Sequence, residues 1–185
     1  MKTIRSVLIA CLLTGMYSEA SAQALPAAKV SFDDYEALVK AVKPHREKRL
    51  VGLDQFLEMS REKGVVLLDT RSDAMYRRKH IKGAIHLTFS DFTQENLAAL
   101  IPDVDTRILI YCNNNIDGDL RAFATKAVVP ALAGPKTKPV TLALNIPTYI
   151  NLYGYGYTNV YELADLVPVW NSKLVFEGTD VPDHE

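Results

Sequence analysis

The chain has 185 residues, a length suited to one domain, and its 48% apolar content is ample for a single core. A formal net charge of −1, with no basic stripe, gives nucleic acid no footing. The sequence holds two cysteines, Cys11 and Cys112.

Residues 1–22 read as an export signal rather than part of the fold. Lys2 and Arg5 give a positive start, Val7 to Tyr17 is an apolar core, and Ala20-Ser-Ala22 fits the small-residue cleavage pattern, with Ala24 as an alternative end. The apolar core is too short for a bilayer anchor. The expected location is therefore the periplasm, with no transmembrane anchor after processing. Leu8-Ile-Ala-Cys11 resembles a lipoprotein box, which keeps lipid anchoring through Cys11 as the alternative. Removal of the signal leaves Cys112 as the sole thiol. Exported proteins generally use cysteines in disulfide pairs, so a solitary one is either buried and silent or kept for its chemistry.

Residues 23–50 read as a linker and a helix. Ser31 can cap that helix, Asp33 and Asp34 sit in its first turn, and Phe32, Tyr35, Leu38, Val39 and Val42 recur at helical spacing. Pro44 and the basic run His45 to Arg49 are expected to end it, the run being a solvated connection. A second helix is expected over Leu53 to Arg61, with Phe56, Leu57 and Met59 buried and Lys63-Gly64 as its stop. Val65 to Asp69 is a continuous apolar strand, Ala74 to Lys79 a short helix, and His80 to Leu87 a glycine turn with another strand. Phe92 to Ile101 is expected to be helical until Pro102. A second buried strand, Arg107 to Cys112, follows. Strands alternating with helices predict a doubly wound parallel α/β sheet with helices on both faces. In such sheets ligands bind beyond the carboxyl ends of the strands, where Asp69 and Cys112 lie.

After Cys112 the loop Asn113-Asn114-Asn115-Ile116-Asp117-Gly118 is built of turn formers. A strand ending this way delivers a thiol to a loop mouth, where backbone N–H groups and a helix N-terminus favour an anion. A free thiol titrates near ~8.5, and lowering that by ~2 units requires about 2.7 kcal/mol. The opposing reading is a buried, inert cysteine.

The chain resembles the rhodanese-like domain from about residue 51 to 177, with 178–185 as a tail. Val65-Val-Leu-Leu-Asp-Thr-Arg71 matches the family's D-x-R strand, and Tyr76 with His80-Ile-Lys-Gly-Ala-Ile-His86 matches its H-I-x-G-A-I segment. Ile108 to Cys112 matches the cysteine strand, and Gly156-Tyr-Thr-Asn-Val-Tyr-Glu-Leu163 with Trp170 matches the closing segment. The resemblance implies a sulfurtransferase in which Cys112 carries sulfane sulfur as a persulfide from a donor such as thiosulfate to a thiol or cyanide. It implies no cofactor, and as partner a small sulfur-containing anion or thiol, with a protein partner as a further option.

Departures from the family pattern leave a second reading open, a catalytically silent binding module. The loop has no basic residue before Arg121, and Asp117 and Asp119 would raise a thiol's pKa if they faced it. An insertion spans about 119–145. It is expected to start with a helix through Leu120, Phe123, Ala124, Ala127 and Val128, and Val140 to Leu144 is a strand or cover. Asn145, as a cap with Pro147 behind it, opens what should be the helix that faces Cys112. Asp69 and Arg71 are expected to pair with each other, while Arg71 and Arg121 are also the candidates for binding an anionic substrate. His80 and His86 are taken as structural, no His/Cys spacing suggests a metal, and Tyr149, Tyr153, Tyr155 and Tyr157 are expected to pack in the core or at its rim.

Overall fold

The computed structural model describes residues 25–127 and 143–182. The chain divides into two units, 1–31 and 32–185. In the first, the described residues 25–31 are exposed and without regular structure. All that follows concerns the second.

In chain order the elements are α1 (Phe32–Glu47), β1 (Leu50–Val51), α2 (Leu53–Ser60), β2 (Val66–Asp69), α3 (Asp73–Arg78), β3 (His80–Ile81) and β4 (Ile85–His86). Then come α4 (Gln94–Leu100), β5 (Ile108–Tyr111), β6 (Ile116–Asp117), α5 (Asn145–Gly154), β7 (Val160–Leu163), β8 (Val167–Pro168) and β9 (Phe176–Glu177). The central sheet has the order β1-β7-β5-β2-β4, and every pairing in it is parallel. The doubly wound α/β architecture read from the sequence is the one present.

Side-chain alternation along the strands builds a core on each face. Leu67, Leu109 and Tyr111 join Phe56 and Met59 on one side, whereas Leu68, Ile108, Ile110 and Val160 join Val42, Leu97, Tyr149 and Leu152 on the other. All four residues of β5 are buried, as expected for the middle strand of a parallel sheet covered on both faces. Asp69 and Cys112 therefore lie side by side at the carboxyl end, one directly ending β2 and one just beyond β5.

Several expectations are corrected. α1 runs through Pro44 to Glu47, because tertiary partners hold its last turn: Arg46 pairs with Glu162, and His45 meets the Tyr149 hydroxyl. Its apolar stripe is mostly outward, since only Val42 is buried while Phe32 and Tyr35 are exposed. No helix forms over residues 119–127. Asp119 instead accepts the N–H groups of Arg121 and Ala122 in a turn, which lays Phe123 under the Arg71 guanidinium. Val128 and residues 140–142 lie outside the described residues. The helix expected over Phe92 to Ile101 is shorter, Gln94–Leu100, because Thr93 accepts the Asn96 N–H and caps its start.

Candidate functional site

β5 ends at Tyr111 and the chain then turns through one 3-10 turn, Asn113–Asn115. Asn115 folds back as a clamp. Its side-chain oxygen accepts the Cys112 N–H at 2.9 Å, and its amide nitrogen donates to the carbonyls of Leu163 at 2.8 Å and Asp165 at 3.2 Å. The loop is thereby tied to the end of β7, and the turn presents the Asn114 N–H to Cys112 Sγ at 3.4 Å.

Two more amides, those of Asn145 and Leu144 at the start of α5, also reach the sulfur. Leu144, not Asn145, is the cap of that helix, and Asn145 is its first helical residue. The Asn145 side chain turns inward, donating to Asn115 Oδ1 at 2.8 Å and to Glu162 Oε1 at 3.1 Å. Backbone N–H groups from two segments thus converge on one sulfur, an arrangement suited to an anion.

The electrostatics do not all favour the anion. Cys112 is 1% exposed. Burial pushes its thiol above the ordinary range and the Glu162 carboxylate pushes the same way, against the three amides. Of the two loop acids, Asp117 lies outward in β6, paired with β8. Burial alone would raise the Asp119 carboxyl, yet Lys79 at 2.6 Å and the two turn amides hold it below the usual range. The acid that acts on the thiol is Glu162, buried in β7 and forked by Arg46, whose Nε and Nη2 each donate at 2.6 Å. A shallow pocket of about 310 Å³ opens beside this group, lined by Arg46, Leu50, Asn114, Asn145, Ile146 and Glu162 among others.

The family model described as the rhodanese-like domain matches residues 52–173. The chain belongs to the rhodanese-like domain family. No curated protein gives a significant match. Among solved structures, a rhodanese with anions from E. coli is 18% identical, with a TM-score of 0.37 over 61% of this chain and 96% of that one. The BH2092 protein from Bacillus halodurans is 17% identical, with a TM-score of 0.45 over 76% and 86%.

Within this rhodanese-like chain the sequence-derived residues do not all gather at one site. Cys112, Asn114 and Asn115 share one site with the start of α5. Asn113 is buried, with its Oδ1 unpaired among the described residues. Ile116 is core and Gly118 lies under the Trp170 ring at positive φ. Arg71 is buried at the end of β2, forked onto Asp69 and donating to the carbonyls of Ala122 and Lys79. Burial opposes its charge, but Asp69 more than compensates and holds it cationic. Its donors are taken up inside the fold rather than turned toward a substrate. Arg121 is exposed and pairs with Asp180 at 3.5 Å. His80 and His86 stack on the two faces' worth of ring that Tyr76 offers, at 3.9 and 4.4 Å, and bond to the carbonyls of Tyr76 and Arg71. Tyr149, Tyr155 and Tyr157 hydroxyls donate to backbone carbonyls of the fold.

The sequence reading missed Glu162, Arg46 and the inward turn of Asn145. A signal for the first was present: a glutamate inside the apolar strand Val160-Tyr-Glu-Leu163 of a parallel sheet is a buried charge that requires a partner. No similar signal named Arg46, which lies 116 residues away. Among the described residues no group of three or more His, Cys, Asp and Glu could hold a metal, and no helix is long and apolar enough to cross a membrane.

Proposed function

We propose that this protein is an exported sulfurtransferase that carries sulfane sulfur on Cys112. The observation that supports it is the convergence of the Asn114, Leu144 and Asn145 N–H groups on the sulfur at the end of β5. The Cys112 thiolate attacks the outer sulfur of a donor such as thiosulfate. A bond forms between that sulfur and Sγ, the sulfur–sulfur bond of the donor breaks, and sulfite leaves with the electron pair. A thiolate or cyanide then attacks the outer sulfur of the persulfide, and Cys112 leaves as thiolate. The amides stabilise both anions without contributing chemistry of their own. Since Cys112 is buried at rest, a donor reaches it only when residues packed over the sulfur move aside.

Incubation with thiosulfate followed by intact-mass spectrometry tests this. The expected result is one added sulfur, removed by cyanide and absent from Cys112→Ala. An unmodified wild type, or an equal adduct on the variant, overturns it. Export is tested by N-terminal sequencing of the protein recovered from its native compartment, with a start at Gln23 expected.

The burial that raises the thiol also supports a second reading, a silent rhodanese-like module that binds a protein partner. Under it Cys112→Ser binds that partner unchanged and no persulfide forms.

A further inference from the structure

Glu162 and Arg46 are absent from the chemistry above, yet they are joined to it by an unbroken chain of polar contacts. Arg46 grips Glu162 through two donors, Glu162 accepts from Asn145 Nδ2, Asn145 Nδ2 donates to Asn115 Oδ1, and that oxygen accepts the Cys112 N–H. Asn145 is the hinge of this arrangement, because its backbone N–H reaches Cys112 Sγ while its side chain reaches Glu162. A bare hydrogen-bonding role for residue 162 would be met by any neutral acceptor. A carboxylate that is 4% exposed and beside a thiol requires a different account.

We propose that the Arg46–Glu162 ion pair is a positioning and tuning element that sets how readily the Cys112 thiol ionises. Burial is the larger influence on the thiol, and Glu162 adds negative charge near the sulfur that works the same way. Arg46, in the last turn of α1, limits that field by neutralising it. Among the described residues, the charged and titratable groups near this pair include Arg49, whose guanidinium lies 5.3 Å over the Tyr161 ring, Tyr161, Tyr149, and His45, which meets the Tyr149 hydroxyl. The pair lines the mouth of the pocket beside the loop. An anionic ligand drawn there by Arg46 would compete for its guanidinium, so reactivity and ligand charge are coupled at this point.

This rests on Cys112 being the reacting thiol, and its test reads ionisation rather than sulfur transfer. Alkylation by iodoacetamide, a neutral probe, is followed against pH for the full chain and for Glu162→Gln and Arg46→Gln. Glu162→Gln keeps the acceptor for Asn145 and removes the charge. It should lower the midpoint and speed alkylation at pH 7 by at least about threefold. Arg46→Gln leaves the carboxylate unneutralised and should raise the midpoint. A lower midpoint for Glu162→Gln with a higher one for Arg46→Gln supports the pair as a tuning element, and the reverse pattern overturns it. Shifts in the same direction, or none, overturn it, because a purely structural role disturbs the loop alike in both. Should Glu162→Gln not fold, Arg46→Gln decides: an unchanged or lower midpoint overturns the proposal. Failure of persulfide formation with the alkylation shifts intact would instead remove the sulfurtransferase reading alone.

Discussion

A buried arginine and a solvated one in the same chain show how little a residue type says without its surroundings. Arg71 is 2% exposed and is the cation of the D-x-R strand end. Its fork on Asp69 is flanked by the Tyr111 hydroxyl, which donates to Asp69 at 2.6 Å and accepts the Ile81 N–H at 3.0 Å. Removing the guanidinium leaves Asp69 buried with only two neutral donors, the Tyr111 hydroxyl and the backbone N–H of residue 71, and leaves two carbonyls unpaired. Breaking such a pair typically costs about 3–5 kcal/mol. Arg71→Met is therefore expected to lose about that much in urea unfolding, or to remain unfolded. Arg121→Ala removes a 3.5 Å contact made by a guanidinium open to water and should cost less than about 0.5 kcal/mol. Equal losses for the two would refute this division of labour.

At the scale of elements, the strands were legible because burial on both faces leaves a plain mark. Ile108–Tyr111 and Val66–Asp69 read as parallel strands from their continuous apolar composition, and both pair in register. The post-cysteine segment was not legible for a physical reason. Leu120, Phe123, Ala124 and Ala127 have helical spacing, but Asp119 is drawn to Lys79 and ties the turn locally, and Phe123 is more stable under Arg71 than on a helix face. The same holds for α1, where a proline expected to end the helix is overridden by the anchors His45 and Arg46. The packing of β9 against the end of α3 gives a further prediction. Gly178 follows β9 with φ +133°, and a Cβ there would press into the Arg78 carbonyl, a backbone atom that cannot swing aside. Gly178→Ala should cost about 2–3 kcal/mol in thermal or urea unfolding. Gly64 also has positive φ, but open space surrounds it, so Gly64→Ala should cost only about 1 kcal/mol.

For the whole molecule, the buried titrating groups set where in pH the fold is firm. Asp119 is held below the usual carboxylate range, so its contribution is complete above about pH 4 and is lost as pH falls through the lower folded value. At the alkaline end the sign reverses. Burial raises the Cys112 thiol, and it raises the phenols of Tyr76, Tyr111, Tyr149 and Tyr157. Each of these groups gives up its proton sooner in the unfolded chain than in the folded one. Stability is then full below the unfolded values and declines as pH rises through them toward the folded ones, starting with the thiol at about 8.5 and followed by the phenols at about 10. The thiol's share is isolated by comparison with Cys112→Ala, which keeps every phenol. Urea midpoints measured from about pH 7 to about pH 10 should fall in both proteins, and the wild type should lose more than the variant once pH exceeds about 8.5. Parallel curves would mean that Cys112 ionises as easily in the fold as outside it. The three amides at its sulfur would then fully offset the burial and Glu162.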